Sequence, residues 1–204
     1  MTNRREFLQI GVAASALPLA APAARGSEPL GALESAASAV PLYKVVYDVR
    51  FPDSVAFARR AAAQGVAVQA IEGDMTRFWY DDLYHRWQRG PAAIAGLTAH
   101  GALFCFERLA LDQRMRVVFR AEHAAAAGAV QHRVDAPLPL LHEARRAAAA
   151  DAWAARFADL VTRCPGGRTE LGTFDACGPG ALAAAAEPLY TWVIAPARRA
   201  AARV

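Results

Sequence analysis

LYKVVYDVRFPDSVAFARRAAAQGVAVQAI, residues 42–71, sets the architecture. Leu42 to Val49 is rich in β-branched and aromatic residues, the composition of a strand. Pro52-Asp53-Ser54 then supplies a turn and a helix start. SVAFARRAAAQG carries apolar residues at helical spacing and stops at Gly65, a good C-terminal signal. VAVQAI, Val66 to Ile71, is a second strand-like run. Strand, helix and strand in this order make a βαβ unit.

The pattern continues outward from that unit. EGDMTRFWYDDLYHRW, Glu72 to Trp87, reads as a helix capped by Asp74 or Thr76 and broken at Gly90-Pro91. A face at i, i+4 and i+7 collects Tyr80, Leu83 or Tyr84, and Trp87 as core. Phe78 and Trp79 are left near the helix start. Ala92 to Leu97 is a third strand, Thr98 can cap a helix from Ala99 to Asp112, and Met115 to Ala121 is a fourth strand. The alternation predicts one α/β domain with a mostly parallel sheet and flanking helices, three-layered and Rossmann-like. VQHRV, residues 130–134, reads as a further strand. Leu140 to Thr162 reads as one long Ala-rich helix. LYTWVIA, residues 189–195, reads as a last, antiparallel strand at the sheet edge.

In open α/β sheets ligands bind beyond the carboxyl ends of the strands. Those ends are polar here. The first offers Asp48, Arg50 and Asp53, and the second Glu72, Gly73 and Asp74. The third offers Gly96, Thr98, His100 and Gly101, and the fourth Arg120, Glu122 and His123. Parallel strands would bring these groups to one rim. Asp48, Arg50, Asp74, Thr98 and His100, with the rings of Phe78 and Trp79, are the candidate ligand-binding residues. His100, Glu122 and His123 are the candidate acid/base residues. Within GLTAHG, Gly96 permits a tight turn and Thr98 offers a cap, and the same helix start could hold an anion. Ser54 is explained by helix capping.

No GxGxxG or GxxxxGK[ST] stretch occurs, so a nucleotide fingerprint is absent. No GxSxG elbow occurs either. Cys105, Cys164 and Cys177 form no CxxC or CxxCH, which leaves c-type haem and a zinc finger unsupported. No local spacing supplies a metal site. Cys105 sits in an apolar helical run and is expected to be buried. Cys164 and Cys177 flank a Gly- and Pro-rich loop; they either close it as a disulfide or stay as two thiols.

The chain opens with TNRREFLQIGVAASALPLAAPAARG. A charged start, a short apolar run and Ala21-Pro22-Ala23 have the form of a secretory signal rather than a membrane span. Arg4-Arg5 with Phe7-Leu8 resembles the twin-arginine (Tat) export signal; Asn3 and Gln9 depart from its Ser/Thr and Lys positions. The resemblance implies export of an already folded protein from a bacterium to the periplasm, through the Tat translocon. Residues 1–23 are therefore read as the signal, 24–41 as a linker and 42–204 as the domain.

Without Arg4, Arg5 and Glu6, the 23 basic and 19 acidic residues become 21 and 18, a formal charge of +3. The excess is spread along the chain, and Lys44 is the only lysine. A nucleic-acid surface would need a concentrated basic face. Two functions remain. One is a ligand-binding or accessory subunit that associates with a larger exported enzyme or a small organic ligand. The other is a small hydrolase or isomerase using the rim acids and histidines.

Overall fold

The computed structural model describes residues 39–167, 169–180, 182 and 187–197. The predicted signal, and the linker up to residue 38, lie outside the described residues. At the start of the described residues the Val40 amide donates to the Cys164 carbonyl at 2.9 Å.

Seven strands and six helices follow in the order β1 (Leu42–Asp48), α1 (Pro52–Ala63), β2 (Val68–Ile71), α2 (Thr76–Phe78), α3 (Tyr84–Gln88), β3 (Ala93–Ala99), α4 (His100–Asp112), β4 (Met115–Ala126), β5 (Ala129–Pro137), α5 (Leu138–Ala148), α6 (Trp153–Val161), β6 (Leu171–Gly178) and β7 (Leu189–Pro196). A π-helical turn, Trp79–Leu83, joins α2 to α3. The strands form one open mixed sheet in the order β2-β1-β3-β7-β4-β5-β6.

The chain is α/β, as its alternation predicts, but the sheet is not mostly parallel. β1 pairs in parallel with β2 and β3, while the other four pairings are antiparallel. Two features cause the departure from a doubly wound sheet. A tight connection at Ala127-Gly128, with Gly128 at φ +71°, folds β4 back on β5 as a hairpin, which makes this pair antiparallel. β7 then inserts between β3 and β4. LYTWVIA is thus antiparallel but central, and β2 and β6 are the edges. Its nearly unbroken apolar run suits a strand covered on both faces. The insertion preserves one expected relation. β7 opposes both neighbours, so β4 runs in the same direction as β3, and Ala99 and His123 both sit opposite Leu189.

Alternation splits the core into two layers, because neighbouring strand residues face opposite ways. Val45, Leu97, Phe119, Val134 and Val193 pack with Phe57 of α1 and Phe157 of α6. Val46, Ile94, Trp192 and Ile194 pack on the other face with Leu83, Trp87, Leu103 and Phe106. The predicted helix over 140–162 is two helices, α5 and α6, with a break at residues 149–152. Leu140 and Ala144 of α5, and Trp153, Phe157 and Leu160 of α6, then reach the same core layer.

Gly96 lies within β3 and does not make a turn. A Cβ there would fall 2.5 Å from the Trp192 ring and 2.6 Å from the Val46 carbonyl oxygen. Its missing side chain lets Trp192 cross the sheet. Thr98 does not cap α4, whose start has no side-chain cap. Fully buried, its hydroxyl accepts the Trp192 indole N–H at 3.0 Å. Ser54 likewise turns inward; its hydroxyl accepts the Asp48 amide at 2.8 Å and donates to the Leu97 carbonyl, tying β1 to β3.

Candidate functional site

The rim at the end of β1 is built around a buried charge. Asp48 has no solvent exposure. Burying a carboxylate is costly unless it is paired and hydrogen-bonded. Arg50 meets that need: Nε lies 3.0 Å from Asp48 Oδ1, Nη2 lies 2.7 Å from Oδ2, and the Arg50 amide also donates to Oδ1. This fork geometry is the strong form of the pair. The guanidinium lies over the Phe51 ring and against Gly73, at φ +77°, where a Cβ would be 2.8 Å from Cζ. Asp48 and Arg50 are thus together at the rim, and each is engaged by the other. Asp74 accepts the Thr76 amide at 2.8 Å at the start of α2; hydrogen bonding to the Thr76 side chain, then to its amide, lowers the Asp74 carboxyl.

A second constellation lies beside the edge strand, and two backbone irregularities create it. The β1–β3 register shifts between Leu42 and Lys44. Such a bulge re-aims side chains, and Tyr43 and Lys44, adjacent in sequence, both reach Asp82. The π-helical turn adds a residue to the helix and carries Asp82 toward them. Asp82 accepts from Tyr43 Oη at 2.5 Å and from Lys44 Nζ at 2.5 Å. Lys44 Nζ also donates to Gln69 at 3.2 Å and sits 5.5 Å from the Phe78 ring centroid.

These groups open on a groove of about 700 Å³, lined by the backbone and side chains of β2 and by α2. Lys44, Gln69 and Asp82 are at one end and Glu72 and Asp74 at the other; Phe78 and Ile71 form its apolar part. Polar groups converging beside an apolar wall are the features of a small-molecule site.

The protonation states are fixed away from neutrality. The Asp82 hydrogen bond, then burial, raises the Tyr43 phenol. Burial pushes the Asp82 carboxyl up, but hydrogen bonds from Lys44 and Tyr43 outweigh it and the net shift is downward. A general acid or base works best with a pKa near the working pH. Tyr43 and Asp82 both move the other way, toward a standing phenol and a standing carboxylate. The arrangement can hold and orient a ligand.

The π-helical turn also corrects the expected face of the opening aromatic helix. Phe78, Leu83 and Trp87 are buried, whereas Tyr80 is 65% exposed and Tyr84 41% exposed. An added residue rotates the apolar stripe, so Tyr80 and Tyr84 of the expected face turn to solvent while Leu83 and Trp87 stay in the core. Phe78 meets Phe106 edge-on at 6.0 Å and still reaches the groove. Trp79 is half-buried between Tyr84 and Trp87.

The predicted acid/base trio does not assemble. β4 runs on to Ala126, so Glu122 and His123 lie within the strand rather than beyond its end. Alternation sends them to opposite faces. Glu122 faces the α4 side beside Tyr190, whose phenol is raised by burial and then by that carboxylate. His100 is exposed at the start of α4, with its ring 5.4 Å from Tyr190. His123 is fully buried on the α6 side.

There His123 pairs with His132 of β5, a residue that sequence reasoning did not single out. Their Nδ1 atoms are 2.7 Å apart, and His123 Nε2 is 2.8 Å from Thr191 Oγ1. Trp153 and Phe157 pack on both rings. Two neutral imidazoles can share one Nδ1–H. His132 Nε2 is buried without a partner. A bare lone pair there costs less than an unpaired N–H, so the consistent tautomers have His132 Nδ1 donating to His123 and His123 Nε2 donating to Thr191. Burial lowers both: His132 to about 4, and His123 well below its ordinary value, with the facing His132 adding to the effect.

Among the described residues, no group of three or more His, Cys, Asp or Glu could hold a metal ion. All three cysteines are free: Cys164 is buried, with its thiol pushed up to about 12 by burial, while Cys177 is exposed. Cys164 and Cys177 therefore form no disulfide. Cys105, expected in the core, is exposed on α4. No described helix is long and apolar enough to cross a membrane. No family model, curated protein or solved structure matches the chain.

Proposed function

We propose that this chain is an exported bacterial protein that serves as a ligand-binding or accessory subunit, with the groove along β2 as its ligand site. The carrying observation is the convergence of a strand bulge and a π-helical turn on Tyr43, Lys44 and Asp82 at the end of that groove. Irregularities of this kind cost regular hydrogen bonding and gather at functional sites. The ligand is a small organic molecule. Its apolar part lies on Phe78 and Ile71, and its polar part meets Lys44, Gln69 and Asp82. Export to the periplasm rests on the resemblance of Arg4-Arg5 and Phe7-Leu8 to a Tat signal.

The hydrolase or isomerase alternative has less support. His100 and Glu122 are separated from His123 by the sheet, and Tyr43 and Asp82 are displaced away from neutral titration. Two measurements on the full chain in a bacterial host with a Tat system test the proposal. Replacing Arg4-Arg5 by two lysines should hold the protein in the cytoplasm; unaltered periplasmic accumulation would refute Tat export. A small molecule carried through purification should be lost in Lys44→Ala. Retention in that variant would place the ligand elsewhere.

A further inference from the structure

Helix α4 buries one apolar stripe and exposes two large apolar residues. Leu103, Phe106 and Ala110 are buried against the sheet. On the outer side Phe104 is 52% exposed and Leu111 54% exposed, seven residues apart and so on one face. The row extends past the start of the helix, since the His100 ring lies 6.2 Å from Phe104 and 5.4 Å from Tyr190. Beside it is a depression of about 450 Å³, lined by Phe104, Glu107, Arg108, Leu111, Arg116 and Val117. Phe104 and Leu111 stand one on each side of Glu107 and Arg108 in this depression, so exposed apolar side chains and charge are interleaved on one face. Aromatic residues and arginine are also what interface centres favour.

The charges indicate the occupant. Glu107 is engaged by Arg120. Arg108 and Arg116 make no ion pair among the described residues. Two unpaired guanidiniums therefore flank an apolar depression. With Glu107 already engaged, the charge left beside the depression among the described residues is positive and complements an acidic segment.

We propose that the outer face of α4 docks a partner protein through an apolar segment flanked by aspartate or glutamate side chains. The apolar side chains would fill the depression between Phe104, Leu111 and Val117, and the carboxylates would meet Arg108 and Arg116. This surface gives His100 a recognition role in place of the acid/base role expected for it. The inference rests on the accessory reading only in supposing that a partner exists.

The test is photo-crosslinking of the full chain in its own host, with the reactive residue at position 104 and a control at Leu138, which is exposed on α5. The expected result is one partner chain captured from position 104 and not from 138, through a segment both apolar and acidic. A peptide of that segment should bind the purified protein less tightly at higher salt, and about tenfold less tightly to an Arg108→Glu/Arg116→Glu variant. Reversing the peptide's acids should restore binding to that variant. Capture of a second copy or of nucleic acid, a segment without acids, or affinity indifferent to the reversals would overturn the proposal. Capture through position 138 alone would sink this surface and leave the accessory reading standing. Capture at neither position would likewise overturn this surface, and the groove reading would be judged separately from ligand loss in Lys44→Ala.

Discussion

Lowering the pH from 7 to 5 should weaken this fold mainly through one buried pair. His132 is neutral in the folded protein, with a pKa of about 4 against an ordinary 6.5. The unfolded chain binds a proton there below pH 6.5, and the folded chain does not until about pH 4. Stability is therefore fully present above pH 6.5 and is lost as pH falls toward 4. Each pH unit within that window costs about 1.4 kcal/mol, so His132 alone removes about 2 kcal/mol by pH 5. His123, lowered by burial and by the facing His132, acts in the same direction. Asp74 and Asp82 are lowered too, but their unfolded values lie near 3.8, so they matter only at lower pH. Urea unfolding at pH 7, 6 and 5 measures the slope. A His132→Gln variant should be less stable at pH 7 yet show a shallower pH dependence between 6.5 and 4.5. An equal slope in the two proteins would refute the assignment of the loss to this pair.

Three other perturbations test the packing. Gly96→Ala places a methyl against the Trp192 ring and the Val46 carbonyl, and should cost about 1–3 kcal/mol or more by denaturant unfolding. Thr98→Val keeps the shape but leaves the Trp192 indole N–H without its acceptor, for about 1–3 kcal/mol. In the native protein a thiol reagent should label Cys105 and Cys177 and spare Cys164, which should react only on unfolding; three equivalents at native pH would contradict the buried Cys164.

The parts of the fold legible in the sequence were those written in local pattern. The run from Leu42 to Ile71 carried its own strand, helix and stop signals, and the parallel β1–β2 pair followed. The place of β7 did not follow, because nothing local to LYTWVIA says which strands it joins. Its apolar residues on both faces did argue against an edge. Gly128 after a run of alanines held the hairpin signal that would have corrected the parallel sheet. Asp48 and Arg50 were found because strand ends are predictable. Tyr43, Lys44 and Asp82 were missed because a bulge and a π-helical turn bring them together, and both depend on tertiary packing. One clue was present: Lys44 is the only lysine of the chain, next to a tyrosine on the first strand. His123 was placed on the rim because β4 was expected to end at Ala121; five more residues of strand carry it into the core beside His132.

Native mass spectrometry of the full protein isolated from its own host, compared with its Asp82→Ala variant, tests the binding reading most directly. The wild-type protein is expected to carry an additional small-molecule mass that the variant lacks. A bare wild-type monomer, or the same bound mass in both proteins, would contradict the assignment of the β2 groove as the binding site.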